Sequence, residues 1–160
     1  FLDAPFNLQY YKPGDYNSEV AYMGCRTRVM GNVYDPNREV TCSRGNLSFT
    51  SVNLPHLAIE SKGDMTVFYD SLDEVIALVV RQLIHRFKIQ SAKLARNYPF
   101  LMGQGIWLDS DGLKPDDKIA EVLKHGTLTM GFIGLAETLK ALTGKHHGES
   151  AASHTQSSVR

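Results

Sequence analysis

An α/β domain with parallel strands is the fold this chain predicts, and three observations point to it. Alternating apolar-polar runs and helix-spaced apolar runs take turns along the sequence. A capping-box tetrapeptide opens the longest helical run. Glycine or proline closes most of the runs. The 160 residues suit one domain with a real core, and 42% hydrophobic against 21% charged residues is ordinary for a globular protein.

The elements follow in order. Residues 19–30 read as a weak strand or loop around Cys25. Asp35-Pro36-Asn37 is a turn signal. Leu47, Phe49, Ser51 and Val52 lie in a strand-like run that Pro55 should end. Ser71-Leu72-Asp73-Glu74 is a capping box: the serine hydroxyl accepts from the third amide while Glu74 reaches back. Behind it, Leu72, Val75, Ile76, Val79, Leu83 and Phe87 recur at helical spacing, which predicts a helix from about residue 71 to the low 90s. "YPFLMGQGIWLDS", residues 98–110, reads as a strand in which Gly103 and Gly105 mark close backbone approach. "KPDDKIAEVLKHG" reads as a short helix with Pro115 near its first position, Asp116 and Asp117 in its first turn and Gly126 as its stop. Leu128, Met130 and Phe132 alternate in another strand, and "LAETLKALTG" is a helix ending at Gly144. No internal repeat is visible. From Ala151 onward apolar content nearly vanishes, so a domain over 1–150 and a disordered tail over 151–160 are expected.

Charge and cysteine usage exclude several classes. Seventeen basic and seventeen acidic residues cancel, leaving no basic field for nucleic acid. No apolar run approaches the roughly 18 residues of a membrane span. The N-terminus has neither the charged nor the apolar region of a secretory signal. It also lacks an initiator Met, so a start inside a longer protein is expected. Cys25 and Cys42 have no second pair and no histidine at metal spacing, which fits a reducing cytosol rather than a disulfide framework or zinc site. In that compartment the sequon Asn46-Leu47-Ser48 is empty. His146 and His147 read as a polar loop, and the glycines of "MGQG" and "GFIG" form neither a dinucleotide fingerprint nor a P-loop.

Two residues carry candidate chemistry. Cys25 is either a small buried hydrophobe or a reactive thiol whose thiolate Arg26 and Arg28 favour. Asn46 is either a turn or capping residue or a neutral amide placed to bond a substrate.

Four blocks go further: "YMGCRTRVMGN", "SRGNLSFTSVNLPHLAIE", "NYPFLMGQGIWLDSDGLKPDD" and "LKHGTLTMGFIGLAETLKALTGKHHGES". In this order, from about residue 6 to Ser150, the chain resembles the catalytic subunit of anaerobic (class III) ribonucleoside-triphosphate reductases. The resemblance implies part of a ten-stranded α/β barrel of the glycyl-radical, pyruvate formate-lyase-like type, with a finger loop inside. It implies that Cys25 carries the thiyl radical and that Asn46 bonds substrate or formate. Met23, Arg26, Ser48, Gly126 and Thr127 are the accompanying candidates for substrate binding. The implied activity is reduction of ribonucleoside triphosphates to deoxyribonucleoside triphosphates, supplying DNA precursors in the cytoplasm. The implied accessories are a glycyl radical on a residue outside this chain, formate or a thiol-protein reductant, and ATP and deoxynucleotide effectors. A radical-SAM iron-sulfur activase and a homodimeric full-length protein complete the set.

This sequence also departs from the family pattern. The second active-site cysteine of formate-using members, the glycyl-radical motif, the zinc-binding cysteines and the ATP-cone all fall outside it, and Cys42 matches no catalytic position. "AASHTQSSVR" lacks the apolar period of the helix the family has there. An internal piece of the barrel is therefore expected. The alternative reading is a catalytically incomplete fragment with only a structural or nucleotide-contacting role.

Overall fold

The computed structural model describes residues 12–14, 22–23, 27–28, 32, 34–38, 40, 42–145 and 148. The chain divides into two compact units, Phe1–Ser48 with Arg86–Leu128, and Phe49–His85 with Thr129–Arg160. Among the described residues it is a mixed α/β structure with two two-stranded sheets.

The first sheet pairs β1 (Tyr22–Met23) with β2 (Thr27–Arg28) antiparallel, Tyr22 opposite Arg28 and Met23 opposite Thr27. These strands flank Gly24, Cys25 and Arg26 in sequence, and those three lie outside the described residues. The turn expected at residues 35–37 forms, with the Arg38 N–H donating to the Asp35 carbonyl at 3.0 Å.

The second sheet pairs β3 (Asn46–Asn53) with β4 (Thr127–Ile133). Its strands run parallel, because close approaches advance together along both: Gly126 lies against Leu47, Gly131 against Phe49 and Gly134 against Pro55. Helices fill the long connection, as a parallel pair requires. This is the strand-helix-strand order that the alternating runs predict.

In the second unit, β3 passes directly into α1 (Leu54–Glu60). Pro55 does end the strand, but it also opens this helix, which the sequence reading does not contain. A proline in the first turn lacks only an N–H that would have no helical partner there. The Asn53 side chain supplies the cap, accepting from the His56 N–H at 3.3 Å. Leu54, Leu57 and Ala58 are buried at helical spacing.

The next helix, α2, spans Met65–Ser91. It starts six residues before the predicted Ser71, which lies within it. Asp64 is the actual cap: its Oδ1 accepts from the N–H groups of Thr66 at 2.9 Å and Val67 at 3.2 Å. A carboxylate already satisfying the first free amides leaves the serine seven residues further on nothing to cap. Val52, Leu54, Leu57, Phe68, Val79 and Leu83 form this unit's core. Helix α4 (Leu135–Thr143) packs against α1 and ends, as expected, at Gly144, which adopts φ 78° and donates its N–H to the Lys140 carbonyl at 2.9 Å.

In the first unit the predicted strand over 98–110 is absent. A 3₁₀ turn at Ala95–Asn97 leads into successive turns. The Met102 N–H donates to the Tyr98 carbonyl and that of Trp107 to the Leu101 carbonyl, both at 2.9 Å. Burying Met102 and Trp107 in one small core requires the chain to coil. Close approach at Gly103 is real, but it serves a turn: a Cβ there would stand 2.5 Å from the Pro99 carbonyl oxygen.

The helix expected across 115–125 shrinks to α3 (Ala120–Leu123). The carbonyls of Pro115 and Asp117 are taken by the N–H groups of Arg96 and Ala95, both at 2.9 Å, and the Asp117 carboxylate accepts from the Lys114 N–H at 2.9 Å. Those bonds hold the segment in a turn. Ala95, Met102, Trp107, Ile119, Val122 and Leu123 make the core of this unit. Among the described residues no helix is long and apolar enough to cross a membrane.

The two candidate caps of α2 predict different outcomes. Asp64→Ala should cost about 1 kcal/mol and speed amide exchange in the first turn. Ser71→Ala should stay within about 0.5 kcal/mol. Equal effects in hydrogen exchange and denaturant unfolding would contradict the observed start.

Candidate functional site

Two strand starts lie side by side in the first unit. The Gly45 carbonyl accepts the Thr127 N–H at 3.0 Å, which brings Asn46, first residue of β3, next to Thr127, first residue of β4. Side chains are kept out of this seam at two points. A Cβ at Gly45 would lie 3.0 Å from the Trp107 ring, and one at Gly126 only 2.5 Å from Leu47 Cγ. Arg44 holds the seam from the other side. Its Nε donates to the His125 carbonyl at 2.8 Å and its Nη1 to the Val40 carbonyl at 3.1 Å. Partial burial lowers the Arg44 pKa from its ordinary value, yet a guanidinium stays charged in any protein setting.

Behind the seam runs a polar chain that the sequence reading does not contain. Buried His125 contacts Asn32 Nδ2 through Nδ1 at 2.9 Å and Asp109 Oδ2 through Nε2 at 3.0 Å. Asp109 in turn receives the Arg38 guanidinium at 2.7 and 3.0 Å. The backbone N–H of Tyr34 donates to Asn32 Oδ1 at 3.2 Å, so the amide nitrogen faces the ring. An amide nitrogen only donates, so Nδ1 accepts and the ring proton sits on Nε2, pointed at Asp109. Asp109 occupies φ 62°, the left-handed region that a short polar side chain tolerates. Its carboxyl is held below the usual range, first by the Arg38 hydrogen bond, against the opposing effect of burial, with the Arg38 charge and the hydrogen bond from His125 adding.

Among the residues singled out in the sequence, Asn46 is exposed at the head of β3. Ser48 lies two positions on, and its hydroxyl oxygen accepts from Arg86 of α2 at 3.0 Å. Gly126 and Thr127 are joined to residues 45–47 as described. The Thr127 hydroxyl is buried with no hydrogen-bond partner among the described residues. The backbone of Met23 pairs with Thr27 in the first sheet. Cys25 and Arg26 lie outside the described residues. Cys42 is an exposed free thiol. No three metal-ligating side chains come together among the described residues.

Comparison with known proteins gives these positions a context. The sequence profile of the anaerobic ribonucleoside-triphosphate reductase family matches residues 2–158. The chain belongs to that family. It is 36% identical over 127 residues to the anaerobic ribonucleoside-triphosphate reductase of Salmonella typhimurium, covering 78% of this chain and 18% of that protein. The Haemophilus influenzae relative of the same name is also 36% identical, over 129 residues and 79% of this chain, and the Escherichia coli one 34% over 127 residues and 78%. The chain thus spans about a fifth of the length of these curated relatives. Within this reductase-family segment, the seam at Gly45–Asn46 and Gly126–Thr127 is where four of the sequence candidates or their immediate neighbours converge. No local pattern signals the His125 chain, because its partners Asn32 and Arg38 are far from it and from Asp109 in sequence.

Two outcomes follow from this geometry. Gly126→Ala should destabilise the protein by about 1–3 kcal/mol through overpacking on Leu47. Combined with Leu47→Ala, the two losses should sum to less than their separate values in denaturant unfolding; strict additivity would show that the clash is not the cause. The depressed Asp109 carboxyl contributes stability above its unfolded pKa, and that contribution is lost as pH falls through the lowered folded value. The pair is largely exposed, so Arg38→Gln should cost about 1 kcal/mol or less at neutral pH. Thermal unfolding should find that gap narrowing below about pH 4; a gap that widens on acidification would contradict the assignment.

Proposed function

We propose that this chain is the segment of an anaerobic ribonucleoside-triphosphate reductase that carries the radical cysteine and a substrate-facing asparagine. The observation that carries the reading is the continuous family match over residues 2–158, with Asn46 and Thr127 heading adjacent parallel strands. In this reading β3 and β4 are neighbouring strands of a ten-stranded glycyl-radical barrel, residues 1–150 are its catalytic part, and 151–160 are a tail. The protein works in the cytoplasm as a homodimer, activated by a radical-SAM iron-sulfur partner and regulated by ATP and deoxynucleotides, with the family's zinc site outside this segment.

Reduction replaces the ribose 2′-hydroxyl by hydrogen and releases water, with two electrons from formate or a thiol protein. Cys25 begins the reaction. Its S–H bond is weak enough to give a hydrogen to the glycyl radical, and the resulting sulfur radical takes the hydrogen from ribose C3′. That exchange needs sulfur held within contact of C3′ and away from water. Asn46 suits the other half of the task. A neutral amide both donates and accepts, so it can hold a ribose hydroxyl or formate without adding negative charge beside the triphosphate. Met23 and Arg26 border Cys25 in sequence. Ser48, Gly126 and Thr127 line the strand starts, and the buried Thr127 hydroxyl has no hydrogen-bond partner among the described residues.

The test uses the full-length reductase containing this segment, activated anaerobically. Cys25→Ser should abolish deoxynucleotide formation while the glycyl radical still appears in the electron paramagnetic resonance spectrum, because an O–H bond is too strong to relay the radical. Turnover by the serine variant would sink the assignment. Asn46→Ala should lower kcat/KM on the order of 100-fold through lost orientation.

A further inference from the structure

We propose that His125 is a positioning residue for the nucleotide site, held as its Nε2–H tautomer between Asn32 and Asp109 so that its backbone carbonyl anchors Arg44, two residues before Asn46. The inference rests on the reading that Asn46 contacts substrate.

Four observations support it. Both ring nitrogens of His125 are engaged and only 5% of the residue is exposed, so the imidazole is not a free acid or base. Its two partners make unlike demands: Asn32 presents an N–H, Asp109 a carboxylate, and a single tautomer answers both. The residue's own carbonyl receives Arg44 Nε at 2.8 Å, while the following Gly126 and Thr127 close on Leu47 and Gly45. Finally, the ring is braced from outside, since Arg38 holds Asp109 by two bonds in a left-handed backbone conformation. The chain Arg38–Asp109–His125–Asn32 therefore fixes one short peptide, and that peptide fixes the approach to Asn46. A pure packing role would not need the tautomer.

The experiment is a double-mutant cycle in the full-length, anaerobically activated reductase containing this segment. His125→Ala is expected to lower kcat/KM on the order of 10–100-fold, as loss of alignment does. Added to Asn46→Ala it should cause little further loss, because both act at one point. Asn32→Asp keeps the ring but removes the N–H facing Nδ1, so it should reproduce the kinetic defect and convert Nδ1 from an acceptor to a protonated nitrogen in the imidazole ¹⁵N spectrum. If His125→Ala does not fold, the same cycle run with Asn32→Asp decides. Losses that multiply across the cycle, or a native spectrum with Nδ1 already protonated, overturn the positioning role while leaving the functional reading intact. If Asn46→Ala alone has no effect, the functional reading itself fails.

Discussion

The indole of Trp107 joins most of what the first unit contains. Its Nε1–H donates to the Val122 carbonyl at 2.7 Å, which ties the coiled segment around residue 107 to α3. One ring edge lies 3.0 Å from where a Cβ of residue 45 would stand, so the approach to β3 passes close over it as bare backbone. The next amide, that of Leu108, bonds the Ser43 carbonyl at 2.7 Å and brings the same approach in from a second side. Truncating a buried tryptophan to alanine costs about 3–5 kcal/mol, from lost transfer energy and the cavity left behind. Here its Nε1–H also shares the Val122 carbonyl with the backbone N–H of His125, which donates to it at 3.3 Å. The Trp107 ring thus bounds the backbone that leads into Asn46.

The polar chain complements this apolar tie. A buried histidine is tolerated when each nitrogen has a partner of the right sense, and Asn32 and Asp109 provide one of each. Arg38 and Asp109 are both substantially exposed, so their attraction is screened, and its value is geometric more than energetic. The Thr127 hydroxyl contrasts with this. It sits in the same neighbourhood, buried, with no partner among the described residues. A polar atom left in that condition is where a ligand or another part of a protein gains most by binding.

Elements stated by local chemistry were legible in the sequence. The alternation of β3 and β4, the turn at residues 35–37 and the glycine that stops α4 are each written in a handful of adjacent residues. Misreadings arose where one residue had two meanings or where packing overrode pattern. Pro55 ends a strand and starts a helix. Ser71 has the letters of a cap, but Asp64 reaches the free amides first. Residues 98–110 alternate like a strand, yet Met102 and Trp107 can share a core only if the chain coils. Asn46, Ser48, Gly126 and Thr127, which lie at the paired strand starts, were named through family resemblance. His125, Asp109, Arg38 and Asn32 were not, because their link exists only after folding brings distant segments together.

The two glycines that bracket β4 have a further consequence. Gly126 meets Leu47, Gly134 meets Pro55, and the members of each set are eight residues apart. Slide either strand by one residue and Thr127 or Ile133 would be driven into space that admits only hydrogen. Side chains elsewhere define strand pairing by what they bury, and a slip turns them to the wrong face. Here the alignment is also written by omission, as two notches a fixed distance apart. Such a strand pair cannot absorb an insertion or deletion between the notches without losing one of them.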